Sequence, residues 1–153
     1  MNDSIKLNGK TAIVTGGGSG IGKAISLALA EAGARVVFSY NKSETSAREV
    51  VEQTSSLNVP AIMCKADMEN TDELENLTGI ALKNYGTIDI LVNNAGVAVY
   101  HPFLEIPRDV WNRTINVNLT SVFILSQLVA RLMVEKGTKG SIIHISSLGG
   151  FSS

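Results

Sequence analysis

Thr11-Ala12-Ile13-Val14-Thr15-Gly16-Gly17-Gly18-Ser19-Gly20-Ile21-Gly22 decides the fold of this chain. A β-branched apolar run enters a cluster of glycines, and an Ala/Leu-rich segment leaves it. The order is therefore strand, turn, helix. Such a turn aims free backbone N–H groups and the positive end of a helix dipole at one point, which suits a phosphate.

The pattern repeats downstream, where short apolar runs alternate with helical periodicity. Strands are expected over residues 11–15, 35–39, 61–65, 88–93 and 141–146, and helices over 20–32, 43–56, 72–85 and 108–136. Gly33 is placed to end the first helix as its C′ residue. Asn70, with Glu73 three residues on, resembles a capping box for the third. Continuous apolar strands alternating with helices imply an α/β fold, a parallel sheet covered on both faces. The last helical stretch is apolar most of the way round, from Val110 and Trp111 to Leu132 and Met133. It is expected to be buried on two sides, one against the sheet and one against a further helix or a partner subunit.

Composition bounds the reading. The 153 residues, 44% hydrophobic and 18% charged, make one globular domain spanning residues 1–153. A net charge of −1 with interspersed signs gives no electrostatic footprint for nucleic acid. The only cysteine, Cys64, excludes an internal disulfide and a cysteine-based zinc site; it sits in an apolar run as a small core residue. Residues 1–10 are polar and lack the apolar core of a signal peptide. Residues 115–134 hold Asn116, Asn118, Gln127 and Arg131, too polar a set for a membrane span. The expectation is a cytoplasmic protein with no membrane and no nucleic-acid partner, and with no metal.

The glycine register selects among nucleotide loops. G-x-G-x-x-G started at Gly16 or Gly18 puts its third glycine on Ile21 or Lys23, so it fails. The P-loop pattern fits from Gly17 to Lys23, but Ala24 stands where a magnesium-binding hydroxyl is required. T-G-x-x-x-G-x-G is matched by Thr15, Gly16, Gly20 and Gly22. By itself that match is also compatible with a tight turn that binds nothing.

A second stretch narrows the choice: Asp89-Ile90-Leu91-Val92-Asn93-Asn94-Ala95-Gly96, a strand ending in Asn-Asn-Ala-Gly. Together the two stretches resemble the short-chain dehydrogenase/reductase family, and the resemblance runs over essentially the whole chain. It is similar to the family's 3-ketoacyl-carrier-protein reductases and its glucose dehydrogenases alike. The resemblance implies a Rossmann-type doubly wound parallel sheet, here ending after the fifth strand. It implies hydride transfer between a nicotinamide cofactor and a carbonyl or alcohol carbon of a small molecule. It further implies a cofactor site built from Gly16, Ser19, Gly20, Ile21, Gly22, Tyr40, Asn41, Lys42, Asp67, Met68, Asn94, Ala95 and Gly96. Asp67 matches the residue that contacts the adenine, and Asn-Asn-Ala-Gly the segment that steadies the sheet beside the cofactor. Asn118 and Ser147 match the family's active-site Asn and catalytic Ser. Read alone, Asp67 is equally a strand-closing polar residue, Asn118 a helical amide and Ser147 a strand-end hydroxyl. Ser147 is not a hydrolase nucleophile, since the elbow would need glycine where Ile145 stands. His144 alternates with Ile143 and Ile145 along a strand and reads as structural, not as a base.

NADP is favoured over NAD, which stays possible. An NAD enzyme usually places an acid on the adenosine ribose near the end of the second strand. Residues 39–42 contain none: Ser39 and Asn41 offer hydrogen-bond donors and Lys42 a positive charge.

In the family a Tyr moves the proton and a Lys four residues later lowers its pKa. Here Tyr40, Tyr85 and Tyr100 are followed at that spacing by Glu44, Asp89 and Leu104, so no Tyr-x-x-x-Lys is present. The family pattern expects it about a dozen residues beyond Ser147, on the next helix. Two readings stay open: a fragment of an ordinary oxidoreductase, or a short protein that binds NADP(H) without catalysis. The fragment is favoured, because the fifth strand would otherwise be an apolar free edge. On that reading the chain by itself is expected to be inactive and loosely folded or insoluble, and the full-length parent a homodimer or homotetramer.

Overall fold

A computed structural model describes residues 6–57 and 59–147. Expectations that fall on residues 148–153 lie outside the described residues. Five strands form one parallel sheet: β1 (Thr11–Val14), β2 (Arg35–Tyr40), β3 (Ile62–Lys65), β4 (Ile90–Asn93) and β5 (Ser141–His144). Their order across the sheet is β3-β2-β1-β4-β5. The chain winds outward from β1 to β3, returns, and winds the other way, so the direction reverses beside β1.

The helices are α1 (Gly20–Glu31), α2 (Glu44–Thr54), α3 (Thr71–Tyr85), α4 (Arg108–Ile115) and α5 (Ser121–Glu135). Strand periodicity sorts the core into two layers. Ala12, Val14, Val36, Phe38 and Val92 face one way, joined by Ala47 and Val50 of α2. Ile13, Val37 and Leu91 face the other, packed with Leu74 and Leu77 of α3 and Leu125 and Val129 of α5. This is the doubly wound α/β sheet that the sequence pattern predicts.

Most element ends lie within one or two residues of expectation, the ordinary uncertainty of boundaries. Gly33, at φ 94°, ends α1 in a Schellman motif. Its N–H donates to the Ala30 carbonyl, and that of Ala34 to the Leu29 carbonyl. The cap of α3 departs from the reciprocal box. Asn70 accepts from the Asp72 N–H at 3.1 Å, while Glu73 accepts from the Asp67 N–H at 2.6 Å and from Asn70 Nδ2 at 3.0 Å. Glu73 thereby holds the loop that carries Asp67.

The fourth expected helix is the main correction. Residues 108–135 are helical throughout, but Asn116–Thr120 form a π-helical turn between α4 and α5. The extra residue shifts the ladder, so the Ser121 N–H reaches the Asn116 carbonyl. Ser121 Oγ donates to the Val117 carbonyl at 2.7 Å, supplying a partner where the ladder is disturbed. By length and hydropathy this helical stretch could cross a membrane. Its inner face, however, with Val117, Leu125, Val129 and Met133, is buried in the sheet core. Its other side leaves Trp111, Leu119, Phe123 and Val134 exposed.

At β5, Ile142 packs into the core while Ile143 and Ile145 are exposed. Among the described residues β5 pairs only with β4. Cys64 is buried in β3, and burial pushes its thiol above the usual value, with Glu73 adding to the shift. The thiol is therefore protonated at neutral pH and shielded. At pH 8 we expect labelling by a thiol reagent to be negligible in the native chain and rapid in denaturant; fast native labelling would contradict this packing.

Candidate active site

Ligands of open α/β sheets bind beyond the carboxyl ends of the strands, where the winding reverses. Here that point lies between β1 and β4, and a cleft of about 470 Å³ occupies it. That volume lies within the range of small-molecule sites, roughly 300–1,000 Å³.

Its floor is the glycine turn. Gly16 and Gly20 have φ of 63° and 52°, a region that L side chains rarely adopt. A Cβ on Gly17 would come within 2.5 Å of Phe38 Cβ and of Ser26 Oγ. A Cβ on Gly22 would collide with the Gly16 carbonyl and the Asn94 amide. The turn thus folds tightly against the sheet, and α1 starts directly at the cleft. Ser19, the N-cap of α1, makes no side-chain capping bond. Free N–H groups at this helix start are available to an anion.

Asn-Asn-Ala-Gly braces the turn. Thr15 Oγ1 accepts from the N–H groups of Asn94 and Ala95, each at 3.0 Å. Asn94 Nδ2 donates to the Thr15 carbonyl at 3.0 Å. Asn93 faces the other way, with Nδ2 donating to Ser126 Oγ at 3.1 Å and lying 3.2 Å from His144 Nδ1. His144 thus joins Asn93 and Ser126 in one side-chain network.

Of the expected cofactor residues, Gly16, Ser19, Ile21, Gly22, Tyr40, Asn41, Lys42, Asp67, Met68, Asn94, Ala95 and Gly96 line the cleft together. Gly20 does not; it serves the turn by its positive φ. Ser39 corrects the expectation of a ribose-facing donor. It is buried, and its hydroxyl accepts from the Gly16 N–H at 3.0 Å, under the turn. Asn41 is committed too, donating from Nδ2 to Asp67 Oδ2 at 3.1 Å. Asp67 Oδ1 accepts from the Glu69 N–H at 3.0 Å. The loops after β2 and β3 are thereby clamped to one another.

Five lining residues fall outside the expected cofactor set: Gly18, Ser43, Val97, Arg113 and Val117. Ser43 was foreseeable, as the N-cap of α2 beside Lys42; its side chain makes no capping bond. Arg113 and Val117 come from α4 and the π turn, more than ninety residues from the glycines, and no local signal in the sequence points to them.

Asn118 lies in the π turn and does not line the cleft. Its Oδ1 accepts from the Val97 N–H and its Nδ2 donates to the Val97 carbonyl, both at 2.8 Å. It thus fastens the loop after β4 to the helix layer. Ser147 lies three residues past β5; the pairing of Asn93 with His144 puts it at the same carboxyl edge of the sheet as Asn94–Gly96. It too lies outside the cleft lining.

A parallel sheet of this order with a glycine turn at its reversal point defines a Rossmann-type domain. A family model described as short chain dehydrogenase matches residues 10–153, and the chain belongs to that family. It is 37% identical to an L-rhamnose 1-dehydrogenase (NAD(P)(+)) of Sphingomonas sp. strain SKA58, over 93% of this chain and 56% of the relative. It is 40% identical to a 3-oxoacyl-[acyl-carrier-protein] reductase of Synechocystis, over 94% and 58% respectively. Among solved structures, a short-chain dehydrogenase of Burkholderia cenocepacia J2315 in complex with NADP superposes with a TM-score of 0.89 at 35% identity, covering 96% of this chain and 59% of that one. A 7α-hydroxysteroid dehydrogenase complexed with NADH and 7-oxo glycochenodeoxycholic acid gives 0.91 at 39% identity, covering 100% and 59%. The chain therefore spans a little over half the length of the relatives it matches.

Proposed function

We propose that this chain forms the cofactor-holding part of an NADP-preferring oxidoreductase, which moves a hydride between the nicotinamide and a carbonyl or secondary-alcohol carbon of a small molecule. The observation that supports this most is the convergence of the glycine turn and Asn94–Gly96 on one cleft at the reversal point of the sheet. The cradle fits a dinucleotide, because the space a Cβ on Gly22 would fill is what lets the turn fold flat beside the helix start. Bound there, the nicotinamide would supply or accept the hydride.

The chain's own residues bind and orient. The N–H groups at the start of α1 hold the pyrophosphate. Asp67 and Met68 face the adenosine, and Thr15 and Asn94 keep the turn in shape. Asn118 fixes the loop after β4, and Ser147 holds the substrate oxygen. Lys42 and Ser43 lie together at the start of α2. A cation, a hydroxyl and a helix N-terminus there favour a 2′-phosphate, and no carboxylate among residues 39–42 opposes it.

The same reading makes the enzyme a cytoplasmic homodimer or homotetramer, acting on a small molecule without nucleic-acid or membrane partners. The exposed Trp111, Leu119 and Phe123 support a helix–helix contact between subunits. A second reading is a non-catalytic NADP(H)-binding module, in which the same cleft holds the cofactor without turnover.

Both readings predict that the folded cleft binds NADPH more tightly than NADH and that Lys42→Ala narrows the difference. Equilibrium titration of NADPH fluorescence measures this, and tighter NADH binding would reverse the assignment. Ketone reduction assayed alongside should be absent from the chain by itself. It should appear only in a longer chain carrying a Tyr-x-x-x-Lys, and its failure to appear there favours the binding module.

A further inference from the structure

One wall of the cleft carries a cation that the phosphate cradle does not use. Arg113 lies on α4 one helical turn before Val117, so the two share a face. Both line the cleft together with Asp67, Met68 and Val97. The pyrophosphate is drawn to the glycine turn at the start of α1 and a 2′-phosphate to Lys42 and Ser43. With Arg113 the lining carries the apolar side chains of Met68, Val97 and Val117 and the carboxylate of Asp67, and Arg113 also shares an adjoining cavity with Lys42 and Val97. Such a surface suits a flat heteroaromatic base whose exocyclic amine donates to the carboxylate.

Arg113 is tethered without being consumed. Its Nε lies 3.7 Å from Glu69 Oε2, and Asn116 Nδ2 donates to Glu69 Oε1 at 3.3 Å. Among the described residues its terminal guanidinium nitrogens make no hydrogen bond. The guanidinium is thus tethered at the cleft wall by one loose ion pair, with its terminal nitrogens left to a ligand. Guanidinium groups stack on aromatic rings, which an ammonium cannot do.

We propose that Arg113 closes over the adenine of the bound dinucleotide, its guanidinium plane stacked on the ring. This rests on the dinucleotide reading of the cleft given above and extends it to a residue of α4. The contact is with the base, so it contributes equally to 2′-phosphorylated and unphosphorylated ligands.

Displacement of NADPH fluorescence from dilute full chain tests it, with 5′-AMP and 2′,5′-ADP as competitors that carry only the adenosine end. Arg113→Ala should weaken both by about 5- to 10-fold, and by the same factor, the scale of a stacking contact. Arg113→Lys keeps the charge and loses the plane, so it should bind both within about twofold of the Ala variant. Loss confined to 2′,5′-ADP, or full restoration by Lys, would make Arg113 a phosphate contact and overturn the proposal. Unchanged affinity for both competitors would overturn it as well, while leaving the dinucleotide reading intact. If the unaltered chain does not bind NADPH, the dinucleotide reading itself fails and this assignment with it.

Discussion

Gly22→Ala should abolish dinucleotide binding and destabilise the chain by about 2–4 kcal/mol, the upper range for forcing a methyl into filled space. The added Cβ would overlap the Gly16 carbonyl oxygen and carbon and the Asn94 side-chain amide. Two of these are backbone atoms of the turn itself, so no side-chain rotation relieves the clash. The only relief moves α1 away from the sheet, and that opens the phosphate cradle. Gly20→Ala is the informative contrast. Gly20 sits at φ 52°, yet a Cβ there meets nothing within 4 Å. That substitution incurs backbone strain alone, roughly 1–2 kcal/mol. Denaturant titration of both variants separates the two effects. Equal losses would mean that the turn accommodates the Gly22 methyl and that close approach is not what requires glycine there, since its backbone is ordinary helix.

Thr15→Val is the second large effect. Val is nearly isosteric with Thr, but it removes the oxygen that accepts from both Asn94 N–H and Ala95 N–H. Thr15 is buried at 2% exposure, so water does not readily replace the hydroxyl. An unsatisfied buried donor costs about 1–3 kcal/mol, so two partly buried ones together should cost about 2–4 kcal/mol. NADPH affinity should fall as well, because the same Asn94 braces the glycine turn. Thr15→Ser keeps the oxygen and should recover most of both losses. If Thr15→Val unfolds at the same urea concentration as the parent chain, the hydroxyl is not what joins β1 to Asn-Asn-Ala-Gly.

These two predictions mark different degrees of legibility. The importance of Gly22 was readable from spacing, since only T-G-x-x-x-G-x-G fits the register. The role of Thr15 was half readable. Its place in the motif was clear, but nothing local shows that its hydroxyl reaches a loop some eighty residues away. Ser39 shows the opposite failure. A hydroxyl at a strand end beside the expected cofactor looked like a ribose donor, and packing turned it inward beneath Gly16. The π turn was hidden for a related reason. Apolar periodicity reports which face of a helix is buried; one inserted residue shifts that face by about 100°, but a segment apolar most of the way round shows no phase to shift.

By itself the sequence determined the α/β class, the strand–turn–helix identity of residues 11–31, the family, and most of the residues that meet in the cleft. These follow from local requirements: glycine where a side chain cannot fit, apolar alternation where a strand is covered on both faces. Only the tertiary structure decided that Ser39 is buried and that Asn118 is spent on Val97. It alone brought Arg113 to the wall of the cleft beside Asp67. Each of these depends on contacts between segments far apart in the chain, and such contacts leave no periodic trace in the residues that make them.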